Sequence, residues 1–258
     1  MTREFFLADR QVHIWLVDPT DVTDPALLDR YHSLLTPEEH VKWQRYRFDK
    51  DKHQHLVTRA LIRETLSRYE SQVAPPDWRF ELNQHGKPTI TNPLAHSLFF
   101  NLSHTQNLAA LAVTRTAAVG VDVEKIKLVE QVRGLAERCF ADSEIRYVFE
   151  GDPSALTWRF FKLWTLKEAY IKARGCGLSL SLQSVVFAPL AQPLKVGFDP
   201  SHDDCAADWY FRSWEVGSKH LLSLALNITA EPPPVVSLFN VTPLSSYTPT
   251  SPTEIIGR

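Results

Sequence analysis

The sequence has few cysteines, no long apolar run and no marked excess of charge, and each shortage excludes a class of protein. Three cysteines, spread widely over 258 residues, do not make a disulfide framework or a zinc site, and they predict a reducing compartment such as the cytoplasm. No stretch approaches the roughly 20 apolar residues that a membrane-spanning helix needs. The amino terminus meets acid early and does not predict a signal peptide. A formal net charge of −2 argues against bulk nucleic-acid binding.

The familiar glycine-rich nucleotide loops are also missing. Neither GxxxxGK(S/T) nor GxGxxG occurs, so a phosphate site would have to be built from side chains. There is no GxSxG turn to expose a hydrolase nucleophile. Ser103 and His104 are adjacent, but neighbours on an extended segment point to opposite faces, which is the wrong geometry for a nucleophile and its base. Both groups could donate to an anion instead, or Ser103 could merely cap a turn.

What remains is an ordinary globular composition, 44% hydrophobic and 22% charged, with enough apolar material for a sizeable core. Helical and β patterns both occur, and residues 107–114 resemble residues 220–227 weakly, which hints at two related halves. The pattern predicts an α+β fold with an N-terminal half at 1–118 and a C-terminal half at 119–230. The proline- and serine-rich remainder, 231–258, predicts an irregular tail.

Two carboxylates occupy one side of a predicted strand at GVDVE, residues 120–124. Alternation places the valines on one face and Asp122 with Glu124 on the other. Two like charges this close are costly unless a cation lies between them or one carboxyl is protonated. Oxygen ligands of this kind suit Mg²⁺, which typically takes one or two carboxylates together with phosphate oxygens. An exposed strand face would account for the pair equally simply.

A third carboxylate lies in WTLKEAYIKARG, residues 164–175, which has the pattern of a helix ending at Gly175. Glu168 and Lys172 are one turn apart on the same face, which by itself is the spacing of a surface ion pair. The apolar residues around them leave little room for a solvated face. If Glu168 meets Asp122 and Glu124, the three carboxylates form a Mg²⁺ site, and such a site implies a phosphate-bearing substrate.

Four motifs in a fixed order, GKP (86–88), FNLSH (100–104), GVDVE (120–124) and WTLKEAYIK (164–172), resemble the 4′-phosphopantetheinyl transferase superfamily. The resemblance covers about residues 36–228 and is to the larger, surfactin-synthetase-activating type rather than the short holo-acyl-carrier-protein synthase type. It implies a monomer of two similar α/β halves related by a pseudo-twofold axis. Coenzyme A would bind in the cleft between the halves.

The resemblance also implies roles for individual residues. Asp122, Glu124 and Glu168 would hold Mg²⁺ (Mn²⁺ is possible) on the pyrophosphate of coenzyme A, and His104 would face the 3′-phosphate. Where some members carry a basic residue early in the helix that begins at Pro37, this chain has Glu39, and Arg59 is predicted as its substitute. The residues that match the family's coenzyme contacts are Lys42, Arg45, Lys87, Pro88, Ser103, His104, Lys167 and Lys172.

The implied reaction transfers 4′-phosphopantetheine from coenzyme A to a serine of an apo acyl, polyketide or peptidyl carrier protein, releasing adenosine 3′,5′-bisphosphate. Lys172 would stabilise the leaving group, and either Glu144 or Glu168 would accept the serine proton. Because Mg²⁺ lowers the basicity of a carboxylate that it binds, Glu144 is favoured. Two alternatives stay open from the residues alone, a Mg²⁺-dependent phosphohydrolase or nuclease and a non-catalytic binding module of the same fold.

Overall fold

A computed structural model describes residues 5–95, 97–116, 118–150, 152–177, 180–191, 194–200, 202–229 and 231–254, and it has the predicted α+β fold. The helices are α1 (Pro25–His32), α2 (Pro37–Arg45), α3 (Asp49–Tyr69), α4 (Val132–Cys139), α5 (Asp142–Phe149) and α6 (Leu156–Arg174). The strands are β1 (Gln11–Val17), β2 (Phe80–Leu82), β3 (Pro88–Ile90), β4 (Phe99–Thr105), β5 (Leu108–Thr114), β6 (Val119–Lys125), β7 (Val185–Ala188), β8 (Lys195–Phe198), β9 (Trp209–Val216), β10 (His220–Asn227), β11 (Val235–Thr242), β12 (Ser246–Thr250) and β13 (Thr253–Glu254).

The two halves repeat one arrangement of elements. In the N-terminal half, β1 is followed by the long helix α3, the small β2–β3 hairpin and the strands β4 and β5. In the C-terminal half, β6 is followed by the long helix α6, the small β7–β8 hairpin and the strands β9 and β10. The sheet orders correspond too, since β1, β5 and β4 are neighbours in one sheet and β6, β10 and β9 in the other, all antiparallel. The resemblance between 107–114 and 220–227 therefore joins equivalent strands, β5 and β10.

Three apolar cores follow from the alternation of the strand residues. One face of the β1–β5 sheet packs on α1 and α3, and one face of the β9–β10 sheet packs on α6. The remaining faces meet each other, with Ile14 and Leu16 of β1 against Val121 and Val123 of β6. The molecule is thus layered as helix, sheet, sheet and helix. Because the valines of β6 point into the middle core, Asp122 and Glu124 point the other way, towards α6.

Helix boundaries follow local capping chemistry. Thr36 and Glu39 form a capping box at the start of α2, and the chain breaks between α2 and α3. Gly175 ends α6 in the left-handed conformation (φ 65°), also as predicted. At the other end, Asp152 caps a short 3₁₀ turn, and α6 begins at Leu156.

The prediction of an irregular tail is wrong for the described part of 231–258. Strand β11 pairs in parallel with β1, β12 pairs with β11, and β13 then pairs with β9 of the other sheet. The physical reason is burial, because the apolar run of β11 adds to the core: Phe239 stacks on Trp15 at 4.6 Å and Leu238 lies in the middle core. The tail therefore closes the side of the two-sheet stack opposite the β4–β6 edge. Residues 255–258, and residues 1–4 of the first half, lie outside the described residues.

Candidate active site at the junction of the two halves

The two halves meet where side chains of β4 take the place of a neighbouring strand for β6. Alternate residues of β4 accept hydrogen bonds from alternate backbone N–H groups on the edge of β6 that faces away from β10. The bonds run from Val121 N to Asn101 Oδ1 (2.9 Å), from Val123 N to Ser103 Oγ (3.3 Å) and from Lys125 N to Thr105 Oγ1 (3.4 Å). This side-chain ladder fixes the register between the strand that carries Ser103 and His104 and the strand that carries Asp122 and Glu124.

The ladder brings Ser103 against Asp122 and Lys172. The Ser103 hydroxyl donates to Asp122 Oδ1 (2.9 Å) and accepts from Lys172 Nζ (2.8 Å), and the ammonium also donates to Asp122 Oδ1 (2.6 Å). Asp122 and Ser103 are both buried, at 4% and 5% exposure. Ser103 of β4 in the first half therefore forms one hydrogen-bonded cluster with Asp122 of β6 and Lys172 of α6 in the second half.

Gly120 lets α6 lie close enough to β6 for this cluster to form. A Cβ atom built at Gly120 would stand 1.9 Å from Ala169 O and 2.4 Å from Ala173 N, inside the helix backbone. Those two residues directly follow Glu168 and Lys172 in sequence. The glycine of the GVDVE motif is therefore required for close approach of the helix rather than for a turn.

Replacing Gly120 by alanine should push α6 away from β6 and separate Lys172 from Asp122. Because the clash is with backbone, no rotamer change relieves it, and we expect a loss of about 3 kcal/mol or more in the free energy of unfolding. Urea unfolding followed by circular dichroism measures this loss. Gly134→Ala is the matched control, since an added Cβ there meets nothing within 4 Å. Equal stability of the two variants would contradict this packing.

The pKa values of Glu168 and Glu124 are both raised by neighbouring negative charge. The pKa of Glu168 is raised by burial and by the charges of Asp122 and Glu124, although Lys172 opposes the shift. The pKa of Glu124 is raised by burial and by Asp122. Three carboxylates from β6 and α6 are therefore electrostatic neighbours.

These carboxylates nevertheless do not form a preassembled metal site. Within the ranges that the structure describes, no three His, Cys, Asp or Glu side chains stand close enough together to hold a metal ion. Two observations fit a divalent cation all the same. Asp122 Oδ2 is buried without a hydrogen-bond partner, and the donor set consists of the hard oxygen ligands that Mg²⁺ and Mn²⁺ prefer.

A cleft of about 260 Å³ opens beside the cluster. Glu168 and Lys172 line one wall, and Lys87 and Pro88 of the β2–β3 hairpin line another. Lys87 Nζ donates to Ala173 O (2.8 Å) and to Val119 O (3.2 Å), which ties the hairpin of the first half to the end of α6 in the second. Burial lowers the pKa of Lys87 to about 8. Four of the predicted site residues thus meet at one cleft.

A second group of predicted residues lies along α2 and α3. The pKa of His55 is lowered to about 4, mainly by burial. The positive charges of Arg59 and Lys42 act in the same direction, as does His104. The pKa of His104 is itself lowered by desolvation, Lys172 and Arg59. His104 therefore links the cations on the helices to the Lys172 cluster. Arg45, on the exposed side of α2, has no described contact with either group.

Glu39, which stands where some family members carry a basic residue, contacts two arginines of α3. Besides its capping bond, it accepts from Arg63 Nη2 (2.9 Å) and Nε (3.2 Å) and lies 3.6 Å from Arg59 Nη1. An acidic residue here therefore compensates the buried Arg63 and orients Arg59. This arrangement places Arg59 beside the other cations, in the region where the sequence predicted it.

The structure contradicts the roles predicted for Glu144 and Lys167. Glu144 is fully buried, and its carboxylate accepts from Ala141 N (2.8 Å) and Phe187 N (2.8 Å) and pairs with Lys167 Nζ at 2.7 Å. Lys167 is 1% exposed and donates to Leu182 O (2.7 Å) as well. Neither side chain can reach a coenzyme or a serine of another protein without unfolding its surroundings. The pair instead fastens α6 to α5 and β7.

Sequence reasoning missed several residues of the junction. Asn101 and Thr105 alternate with Ser103 at the period of a strand, and that polar alternation was the available signal. Gln54, whose Nε2 lies 2.6 Å from His104 Nδ1, gave no comparable signal because it is one polar residue among many on a charged helix.

Comparison with known proteins agrees with the geometry. Residues 118–225 match the family model of the 4′-phosphopantetheinyl transferase superfamily, and residues 24–116 match the model of the 4′-phosphopantetheinyl transferase N-terminal domain. The chain is 31% identical over 196 residues to the 4′-phosphopantetheinyl transferase HetI of Nostoc sp., covering 76% of this chain and 81% of that protein.

Two further relatives point the same way. The 4′-phosphopantetheinyl transferase Sfp of Bacillus subtilis is 33% identical over 191 residues, which cover 73% of this chain and 80% of Sfp. A phosphopantetheinyl transferase of Thraustochytrium sp. is 30% identical over 210 residues, which cover 76% of this chain and 72% of that protein. The chain therefore belongs to the 4′-phosphopantetheinyl transferase superfamily and is an enzyme of its larger, Sfp-like type, built from two halves.

Proposed function

We propose that this chain transfers 4′-phosphopantetheine from coenzyme A to a serine of an apo carrier protein and releases adenosine 3′,5′-bisphosphate. The observation that carries the proposal is the junction cleft, where Glu168 and Lys172 of α6 face Lys87 and Pro88 beside the buried Asp122. A diphosphate needs cations, and attack by a serine hydroxyl needs a carboxylate that accepts its proton. Both lie on one cleft between the halves.

The cations have the arrangement that an extended, multiply charged ligand requires. Lys87 and Lys172 both line the cleft, which suits them to the diphosphate, and Lys172 also bonds directly to Asp122. Lys42, Arg59 and His104 form the second group, suited to the 3′-phosphate of the nucleotide end. We include Arg45 as a further contact at the exposed end of α2. Ser103, between the two groups, orients Lys172.

A divalent cation, Mg²⁺ with Mn²⁺ as an alternative, would be held by Asp122, Glu124 and Glu168. When bound, it neutralises the charge of the diphosphate and stabilises the oxygen that leaves. The unpartnered Asp122 Oδ2 supports this assignment, and so do the raised pKa values of Glu124 and Glu168, each shifted partly by the charge of Asp122.

Transfer itself needs one bond made, one bond broken and one proton moved. The serine Oγ bonds to the phosphorus next to pantetheine, and the bond from that phosphorus to the bridging oxygen breaks. Lys172 is proposed to donate to the departing phosphate group. Of the two carboxylates predicted as proton acceptors, only Glu168 lines the cleft, so we assign it this role, directly or through one water. A bound divalent cation would lower the basicity of Glu168, and the raised pKa of this carboxyl opposes that loss.

The charge on Lys87 makes coenzyme A binding dependent on pH. Because its pKa is lowered to about 8, the ammonium is charged below that pH and neutral above it, so the attraction for phosphate declines as pH rises. We expect affinity to be about tenfold weaker at about pH 9 than at about pH 7. Calorimetric titration at several pH values measures it. Lys87→Met should bind weakly with a flat profile, and a flat wild-type profile would contradict this role.

The expected partner is an acyl, polyketide or peptidyl carrier protein, and we propose that the enzyme acts as a monomer in the cytoplasm. Cys139 and Cys205 are free thiols, which suits a reducing compartment. Among the described residues, no helix is both long and apolar enough to cross a membrane.

Incubation with coenzyme A, Mg²⁺ and a panel of apo-carriers, followed by intact-mass measurement, tests the proposal. Some carrier should gain the mass of one phosphopantetheine, and the same carrier with its acceptor serine changed to alanine should gain nothing. Appearance of adenosine 3′,5′-bisphosphate without any modified carrier would identify a hydrolase instead. No gain across the panel, with a correctly folded enzyme, would overturn the proposal.

A further inference from the structure

Lys172 places its ammonium on the same carboxylate, Asp122, that would hold a divalent cation. Its ammonium lies 2.6 Å from Asp122 Oδ1 and 2.8 Å from Ser103 Oγ, with the side chain 28% exposed and therefore able to move. Asp122 itself is 4% exposed and has only its second oxygen, Oδ2, without a partner. Asp122 thus pairs with a flexible lysine through Oδ1, while its Oδ2 has no hydrogen-bond partner.

Charge balance explains why the lysine is there. The charge of Asp122 raises the pKa of both Glu124 and Glu168, and the charge of Glu124 also raises the pKa of Glu168, so three negative charges share a partly desolvated space. Lys172 lowers the pKa of both glutamates, so it acts on the whole group. A single ammonium relieves this repulsion in part, whereas a divalent cation would relieve it more fully.

We propose that Lys172 is an exchangeable counter-ion, so that divalent metal binds weakly to the free enzyme and tightly once coenzyme A draws the lysine away. This inference rests on the proposed function, because it takes the ligand of the cleft to be a diphosphate. An ammonium and a divalent cation repel each other strongly at contact distance from one carboxylate. Phosphate oxygens offer the displaced ammonium a strong acceptor.

Ser103 keeps the site in order during the exchange. Its hydroxyl donates to Asp122 Oδ1 and is held in turn by the backbone N–H of Val123 at 3.3 Å. When Lys172 leaves, Asp122 therefore keeps a hydrogen bond that fixes its orientation for the metal. Since linkage is reciprocal, metal and coenzyme A must each raise the affinity of the enzyme for the other by the same factor.

Manganese binding without coenzyme A is the test, read by the electron paramagnetic resonance of free Mn²⁺. Lys172→Gln should bind Mn²⁺ at least about tenfold more tightly than the wild type, because the competing charge is gone. Lys172→Arg keeps the charge and should bind as weakly as the wild type. Lys127→Gln is the matched control: Lys127 also lowers the pKa of Glu124, but it has no bond to Asp122. It should match the wild type within about twofold.

Coenzyme A completes the test. Saturating coenzyme A should tighten Mn²⁺ binding by about tenfold or more in the wild type and by clearly less in Lys172→Gln, where only direct ligation by the diphosphate remains. Equal Mn²⁺ affinity of wild type and Lys172→Gln in the absence of coenzyme A, with circular dichroism showing both folded, would overturn the inference. Because this readout needs no carrier protein, it can succeed or fail independently of the mass gain that tests transfer.

Discussion

Replacing Glu168 by glutamine should slow carrier modification by roughly 10²- to 10⁴-fold, the range expected when a proton acceptor is lost. The substitution keeps the size of the side chain but removes both the negative charge and the basic oxygen. Since Glu168 lines the cleft and is only partly buried, the fold should survive. Initial rates of carrier mass gain, measured at saturating coenzyme A and several pH values, give the effect directly.

Glu137→Gln is the matched control for this experiment. Glu137 lies on α4, is exposed, and is not among the residues that line the cleft. We expect it to retain the wild-type rate. Near-full turnover by Glu168→Gln across the pH range would exclude Glu168 as proton acceptor and would also weaken its assignment as a metal ligand.

Replacing Lys167 by methionine should cost about 3–5 kcal/mol in the free energy of unfolding, because it leaves the fully buried Glu144 carboxylate without its counter-charge. Urea unfolding followed by circular dichroism measures this cost. The double variant Glu144→Gln with Lys167→Met should recover part of it, since the charge is removed while an amide oxygen remains to accept a backbone N–H. Lys195→Met, on the exposed edge of β8, is the matched control and should be close to neutral.

The same variants decide between a structural and a coenzyme-binding role for this pair. If Lys167→Met were as stable as the wild type but had lost affinity for coenzyme A, the original family-based assignment would be correct and the buried pair would be incidental. The contacts predict the reverse: lower stability, with the coenzyme affinity of the folded fraction nearly unchanged. Such a result would show that Glu144 and Lys167 position α6, the helix that also carries Glu168.

Much of this fold could be predicted because its signals are local. The alternation of Val119, Val121 and Val123 identified the strand and the face on which Asp122 and Glu124 stand. The spacing of Glu168 and Lys172 placed both on one side of a helix. Elements defined by periodicity and capping need no knowledge of distant residues, and most of those predicted are present in the structure.

The features that could not be predicted depend on long-range packing. Glu144 reads as an ordinary acid in the first turn of a helix, and only the folded chain shows that Lys167, 23 residues later, is buried against it. The tail was misjudged because prolines and serines dominate its composition, whereas Val235–Thr242 is an apolar run with a strand to pair with. Composition averaged over a segment conceals such a run.

The junction between the two halves could be predicted only in part. The motifs showed which residues carry the chemistry, but the way in which they meet depends on Gly120 against α6 and on the β4 side chains that bond to β6. Neither contact is visible in one element alone. The alternating Asn101, Ser103 and Thr105 show that side chains can satisfy the backbone N–H groups of a strand edge where two halves join.

The most direct test of a shared metal and coenzyme site at the junction is to locate bound Mn²⁺. We predict that crystals grown with coenzyme A and Mn²⁺ give an anomalous diffraction peak within coordination distance of Asp122, Glu124 and Glu168, with Lys172 moved from Asp122 onto a phosphate group. A Mn²⁺ peak elsewhere, or coenzyme A bound with Lys172 still paired to Asp122, would contradict the account.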